Sequence, residues 1–155
     1  MYSNELVCKI LNYIDNNINK KITIEELSLR FYYNRYYIMK LFKKELNITI
    51  VNYIKSMRIY NSLKDYKYND QIIRIALNNG FNSLEYYSET FKEIIKISPR
   101  EYKYFLKRSS KMSLDKIIST SISLSNLQYI KDKSNDYKRN KPPTQIKTKT
   151  LTIFK

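Results

Sequence analysis

A stretch of chain occurs twice, 49 positions apart, and this repetition restricts the architecture more than any other feature of the sequence. Asn34–Tyr53 lies over Ser83–Tyr102. Tyr37 meets Tyr86, Phe42 meets Phe91, Lys43 meets Lys92, Ile48 meets Ile97 and Tyr53 meets Tyr102. Residues suited to helix N-caps coincide as well, Asn34 with Ser83 and Thr49 with Ser98. Upstream, Leu27-Ser28-Leu29 lies over Ile75-Ala76-Leu77, displaced by one residue. The repeated unit reads as a short helix, a tight turn, a capped second helix and a capped third. Its first two helices follow the helix-turn-helix pattern.

Composition agrees with an all-helical chain. Gly occurs once and Pro three times in 155 residues, too little turn chemistry for a sandwich or barrel and too little Gly for a phosphate-cradling loop. Histidine is absent and Cys8 is the lone cysteine. That excludes an intrachain disulfide, an ordinary zinc site and catalytic dyads or triads that need His. No catalytic residue, metal ligand or cofactor is assigned. Glu5, Lys9, Asp15, Lys20 and Lys21 interrupt what would have to be the apolar core of an export signal. No stretch approaches the ~20 apolar residues of a membrane span. A cytoplasmic chain without a membrane partner is expected.

Hydrophobic spacing places the helices. Leu6, Val7, Ile10, Leu11, Ile14 and Ile18 form one stripe. Thr23 with Glu26 reads as a capping box opening a short helix that turns Leu27 and Phe31 inward. Asn34 caps a helix with Ile38, Leu41 and Phe42 inward, and Thr49 a longer one with Tyr53, Ile54, Met57, Ile59 and Leu63. Asp70 opens a helix with Ile72, Ile75 and Ala76, which Gly80 stops in the left-handed region. Ser83 caps a helix with Tyr87 and Phe91 inward, and Ser98-Pro99 starts another. A boundary falls near 108. Residues 1–108 carry 19 basic and 11 acidic groups, whereas residues 109–155 carry 10 and 3. Ser109-Ser110-Lys111 opens a Ser/Thr/Lys-rich stretch that includes Pro142-Pro143. This tail, 109–155, is expected to be a loosely ordered basic extension or a fragment of an effector domain. One more helix through Leu114, Ile117, Ile118, Ile122 and Leu127, and a strand from Ile146 to Phe154, are the elements it can offer.

These residues resemble the AraC/XylS family of bacterial transcription regulators, whose signature runs through two helix-turn-helix units joined by a long helix. Glu26-Leu27-Ser28 and Tyr37-Ile38-Met39-Lys40-Leu41-Phe42-Lys43-Lys44-Glu45 look like its first unit, about 23–46. Tyr53-Ile54 and Arg58-Ile59 look like its linker helix, about 49–66. Ile72 to Ala76, Gly80-Phe81, Ser83, Tyr86-Tyr87, Phe91-Lys92, Ser98-Pro99 and Tyr102-Lys103 look like its second unit, about 70–95 and just beyond. The resemblance implies an all-α DNA-binding domain over 1–108 that regulates transcription, by activation rather than repression. It implies double-stranded DNA and RNA polymerase as partners, with one recognition helix in each of two successive major grooves, so that a monomer can cover a non-palindromic site. It also reads Arg58 as buttressing the two units. The sequence departs from the family pattern at Asn47 and Lys96, where Gly is common, and at Glu89, where a basic residue is common.

The candidate DNA-binding residues follow. In the first unit Arg35, Tyr36, Met39, Lys40 and Lys43 lie off the buried stripe. The resemblance places Tyr36, Met39 and Lys40 toward bases. A lysine or arginine donates to guanine N7 and O6, and Tyr36 and Met39 suit thymine methyls. In the second unit Leu84, Glu85, Ser88 and Glu89 occupy the corresponding positions, with Ser83 and Lys92 beside them. Glu85 and Glu89 repel phosphate yet can accept from cytosine N4. N–H groups at the Ser83 end, with Lys92, Arg100 and Lys103, suit phosphate. The other reading the residues leave open is a nonspecific nucleic-acid-binding or RNA-binding protein, in which Tyr13, Tyr32, Tyr33, Tyr37, Tyr53, Tyr86, Tyr87 and Tyr102 stack on bases. Packing of these rings in the core is the simpler account.

Overall fold

The computed structural model describes residues 3–68, 70–107 and 112–139, which form an all-α fold. The helices are α1 (Ser3–Asn16), α2 (Ile24–Phe31), α3 (Arg35–Leu46), α4 (Ile50–Leu63), α5 (Ile72–Asn78), α6 (Leu84–Ile95), α7 (Pro99–Leu106) and α8 (Leu114–Arg139). A 3-10 turn, Lys64–Tyr68, follows α4.

Most of these helices begin where a side-chain oxygen accepts a backbone N–H that has no partner within the helix. Asn34 accepts from Tyr36 N at 2.8 Å, Thr49 from Asn52 N at 3.2 Å and Ser83 from Tyr86 N at 3.1 Å. Ser98 and Glu101 form a complete capping box ahead of Pro99. Two expected caps differ. Thr23 accepts from Glu26 N, but the Glu26 carboxylate does not return to the Thr23 backbone; it accepts instead from the Tyr13 hydroxyl of α1, which ties α2 to its neighbour. Asp70 does not cap α5. Gln71 occupies that place without a side-chain bond, and the Asp70 carbonyl accepts from Lys103 Nζ at 3.1 Å.

Two hydrophobic cores result. The first gathers Leu6, Val7, Ile10, Leu11 and Ile14 of α1 with Leu27, Ile38, Leu41, Phe42, Tyr53, Ile54 and Met57. The second gathers Ile59 with Tyr66, Ile75, Ala76, Phe81, Tyr87, Phe91, Ile94, Ile95 and Tyr102. Phe42 and Phe91, equivalent in the repeat, are both fully buried, and each meets its unit's equivalent tyrosine, Tyr53 at 5.6 Å and Tyr102 at 5.4 Å between ring centroids. Tyr53, Tyr87 and Tyr102 are therefore core residues, not a stacking platform. In the second core the Tyr87 hydroxyl bonds to Ser62 Oγ at 3.0 Å and to Tyr66 Oη at 2.9 Å, which satisfies polar atoms that burial would otherwise strand.

Between 114 and 139 the C-terminal extension forms the further helix that the sequence offered, packed on both units. Its buried residues are Thr120, Ser123, Leu127, Ile130, Ser134 and Tyr137, spaced alternately by three and four. That spacing is a continuous seam on a helix. Leu127 enters the second core, and Ile130 and Tyr137 enter the first. Of the apolar residues that suggested a helix here, Leu127 is buried, while Leu114, Ile117, Ile118 and Ile122 lie on the exposed side. The expected strand from Ile146 to Phe154 lies outside the described residues. Among those described, no helix is long and apolar enough to cross a membrane.

Truncating either equivalent phenylalanine, Phe42→Ala or Phe91→Ala, is expected to cost ~3–5 kcal/mol, read as a shift of the denaturant midpoint at unchanged slope. Burial also predicts alkaline sensitivity. It pushes the Tyr87 hydroxyl from 10.0 up to about 12 and moves Tyr66 in the same direction. The fold thus prefers the neutral phenols. The Tyr87 contribution is complete below the free-tyrosine value of 10.0 and declines as pH rises through about 12. Unfolding midpoints measured on either side of pH 10 should fall on the alkaline side, and less so in Tyr87→Phe.

Candidate nucleic-acid interface

In the first unit α2 and α3 meet across a turn built on Tyr32, whose φ is 60°. That left-handed residue ends α2, and the Ser28 hydroxyl donates to the Tyr33 carbonyl at 2.6 Å, closing the turn. Ile38, Leu41 and Phe42 hold α3 to the core, so the rest of its circumference faces solvent. Tyr36, Met39, Lys40 and Lys43 are all exposed there, Tyr36 by 66% and Met39 by 45%. Lys40 and Lys43 pair with no carboxylate among the described residues. Arg35 is committed differently. Its guanidinium lies over the Tyr36 ring at 5.0 Å and sits 3.6 Å from Glu25 Oε1. Both contacts are exposed, and neither prevents Arg35 from turning to DNA. A helix with this exposed face can enter a major groove and present a donor, Lys40, next to an apolar methyl-binding surface.

The second unit differs in kind. Tyr87, Thr90, Phe91, Ile94 and Ile95 bury one side of α6. Glu85, Glu89 and Lys92 are exposed, and Ser83 and Ser88 are half-buried. Leu84, expected to face outward, is half-buried and packs on the second core, because the start of α6 lies against α5 and α7. The cations of this unit gather elsewhere. An open cleft of about 490 Å³ is lined by Gln71, Ile72, Ile73, Leu84, Arg100, Lys103, Tyr104 and Lys107. Sequence reasoning marked Arg100 and Lys103 there but missed Lys107. The signal was present, since 100, 103, 104 and 107 follow helical spacing on one face of α7. The second unit therefore carries acidic groups on its recognition helix and basic groups beside it.

Arg58 joins the units. From α4 its Nε donates to the Ile18 carbonyl at 2.8 Å and its Nη2 to the Lys20 carbonyl at 2.7 Å, both in the α1–α2 connection. Its guanidinium also approaches the Phe81 ring at 6.0 Å. Gly80 sits against the same place with φ 82°; a Cβ there would come 2.9 Å from Asn19 Cα and 3.0 Å from Arg58 Nε. A glycine is needed here both for the backbone conformation and for the close approach. Asn47 and Lys96 end α3 and α6 with φ of 58° and 74°, so both recognition helices close on a left-handed residue without glycine. Asn tolerates that geometry more readily than Lys.

Two helix-turn-helix units held around one linker helix, each exposing the outer face of its second helix, define a DNA-binding domain of the double helix-turn-helix class. Comparison with known proteins agrees: a helix-turn-helix domain family matches residues 27–104. The HTH-type transcriptional regulator YbfP of Bacillus subtilis is 30% identical over 109 residues, covering 70% of this chain and 37% of that protein. The multiple antibiotic resistance protein MarA of Escherichia coli is 28% identical over 95 residues, covering 61% of this chain and 75% of that one. The transcriptional activator AarP of Providencia stuartii is 25% identical over 103 residues, covering 66% and 76%. A solved structure of a Listeria innocua protein of unknown function shares the fold, with a TM-score of 0.59 at 22% identity over 63% of this chain and 93% of that one. The chain belongs to the AraC/XylS family of DNA-binding transcription regulators.

The unequal faces predict unequal mutational effects. Lys40→Ala should weaken specific binding by ~1–3 kcal/mol, as loss of a base contact does. Glu89→Ala should change it less and tighten binding to random duplex by removing repulsion. Titration of each variant against a specific and a random duplex at one salt concentration separates the two effects.

Proposed function

We propose that this protein is a sequence-specific transcription activator of the bacterial cytoplasm that binds duplex DNA as a monomer and acts with RNA polymerase. Each recognition helix enters one of two successive major grooves on one face of the duplex, roughly 34 Å apart. The observation that carries this reading is the pairing of two helix-turn-helix units, with α3 and α6 each leaving one face unburied, in a single chain. In the first unit Tyr36, Met39 and Lys40 read bases, and Arg35 and Lys43 flank them. In the second unit Glu85, Ser88 and Glu89 face the groove, Leu84 stays with the core, and Ser83 and Lys92 lie toward the backbone. Arg100, Lys103 and Lys107 add phosphate attraction on α7. The activating role is supported by the relative named as an activator, AarP.

A pool of randomised duplexes enriched on the purified chain tests this directly. A bipartite consensus is expected, its halves about 10–10.5 base pairs apart centre to centre. The half read by α3 should be the better defined. Enrichment of no consensus, or equal competition by single-stranded RNA, would instead support nonspecific nucleic-acid binding.

A further inference from the structure

We propose that α8 is a positioning brace that sets the separation and tilt at which the two recognition helices meet DNA, making the protein selective for half-site spacing. This rests on the reading that both units engage one duplex. The brace reaches the first recognition helix from behind. Lys133 Nζ donates to the Leu46 carbonyl at 2.9 Å, at the last turn of α3. Helix carbonyls there have no partner within the helix, and the helix dipole places negative charge at that end, so an ammonium is held well. Tyr137 donates its hydroxyl toward Glu45 Oε2 of α3 and Asn4 Oδ1 of α1, each at 3.2 Å. The side chains that anchor this end are buried or half-buried, and burial pulls the Lys133 ammonium below its usual pKa.

A second set of bonds fixes α8 along its own axis. Asp15 of α1 receives Lys138 in a short contact, lies 3.8 Å from Lys131, and accepts from the Tyr53 hydroxyl at 3.1 Å. Tyr53 Oη also bonds Ser134 Oγ of α8 at 2.7 Å, in the interior. Toward the other unit, Leu127 is fully buried in the second core, and Tyr60 of α4 donates to Gln128 Oε1 at 3.0 Å. One helix thus places side chains in both cores. Rotating one unit against the other would have to withdraw Leu127 from one core or Ile130 and Tyr137 from the other. The bonds to Leu46 and Glu45 carry that rigidity to the end of α3 itself. Geometric bonds of this kind decide angle rather than gross stability, because a shift of about an ångström breaks them.

The test uses the full chain with Lys133→Met, Tyr137→Phe and the double variant, which keep the buried stem and ring. Each is titrated against the duplex selected by the wild-type chain and against the same duplex with one base pair inserted or deleted between the halves. One base pair moves a half-site about 3.4 Å along the axis and about 35° around it. The wild-type chain should lose ~10-fold or more on either altered duplex, a loss on the scale of a mismatched base pair. The double variant should lose less than about 3-fold, with Tyr137→Phe between them. Thermal unfolding follows the fold in parallel; a merely stabilising contact lowers the melting temperature and leaves the spacing ratio unchanged. An unchanged ratio in a folded double variant overturns the proposal, and if that variant does not fold, the ratio measured for Tyr137→Phe decides in the same way. A selection that returns no second half-site defeats the two-groove reading itself, and the brace with it.

Discussion

Everything else in this fold hangs on α4 belonging to two cores at once. Tyr53, Ile54 and Met57 enter the first, and Ile59 the second. A helix advances 1.5 Å per residue, so Tyr53 and Ile59 lie about 9 Å apart along its axis. The two units are consequently joined at close quarters around a shared rod, not tethered by a strand of loop. Arg58 lies between those two sets and bonds back to carbonyls of the α1–α2 connection. It occupies the crevice that Gly80 leaves open. A guanidinium is suited to this place because its planar fork meets two carbonyls while its central carbon stands over the Phe81 ring. Removing it would leave the part-buried Ile18 carbonyl without this donor, whereas removing an exposed lysine would strand nothing.

The repeat made most of this arrangement readable from residues alone. Caps at Asn34, Thr49, Ser83 and Ser98 stand where a polar oxygen follows a break in the apolar pattern, and all four hold in the structure. The mistaken details are those in which a tertiary partner competes with a local one. Glu26 had a backbone N–H within reach and bonded a tyrosine of another helix instead. Leu84 follows the N-cap of a recognition helix, where its counterpart Arg35 is exposed, but it packs on the second core and lines the cleft beside α5 and α7. Neither outcome is encoded in spacing along one helix.

The buried face of α8 was hard to read for a more general reason. Apolar periodicity identifies a buried face when burial is the main demand on a helix. Half of the seam of α8 is instead small and polar, with Thr120, Ser123 and Ser134 alongside the larger Leu127, Ile130 and Tyr137. Small residues let two helices approach closely, and α8 lies along α4, where Ser56 is likewise buried. Ser123 satisfies its hydroxyl on the Ser119 carbonyl of its own helix, and Ser134 does so on Tyr53. Meanwhile Leu114, Ile118 and Ile122 form a conspicuous apolar run on the exposed side. A pattern search therefore finds the wrong face. The heptad spacing of the seam was legible, but only to a reading that lets serine and threonine count as interior residues.

The two recognition helices are unequal in charge, and helix electrostatics explains how the second tolerates its acidic groups. Glu85 lies in the first turn of α6, where the positive end of the dipole favours a carboxylate. It therefore stabilises α6 at a place where a carboxylate would oppose an approaching phosphate. Glu89, one turn later, receives less of that benefit. The cations of this unit stand beside the helix instead, with Arg100 and Lys103 of α7 and Lys107 at its C-cap around the cleft. In the first unit the order is reversed: the recognition helix itself carries Lys40, Lys43 and Lys44, while Glu25 and Glu26 occupy the first turn of α2. Basic groups thus fall on different elements in the two halves. On the proposed two-groove reading, a close connection between the halves would let the anchoring of one hold the reading of the other in register, and the shared rod with the helix packed along it then matters more than either recognition face alone.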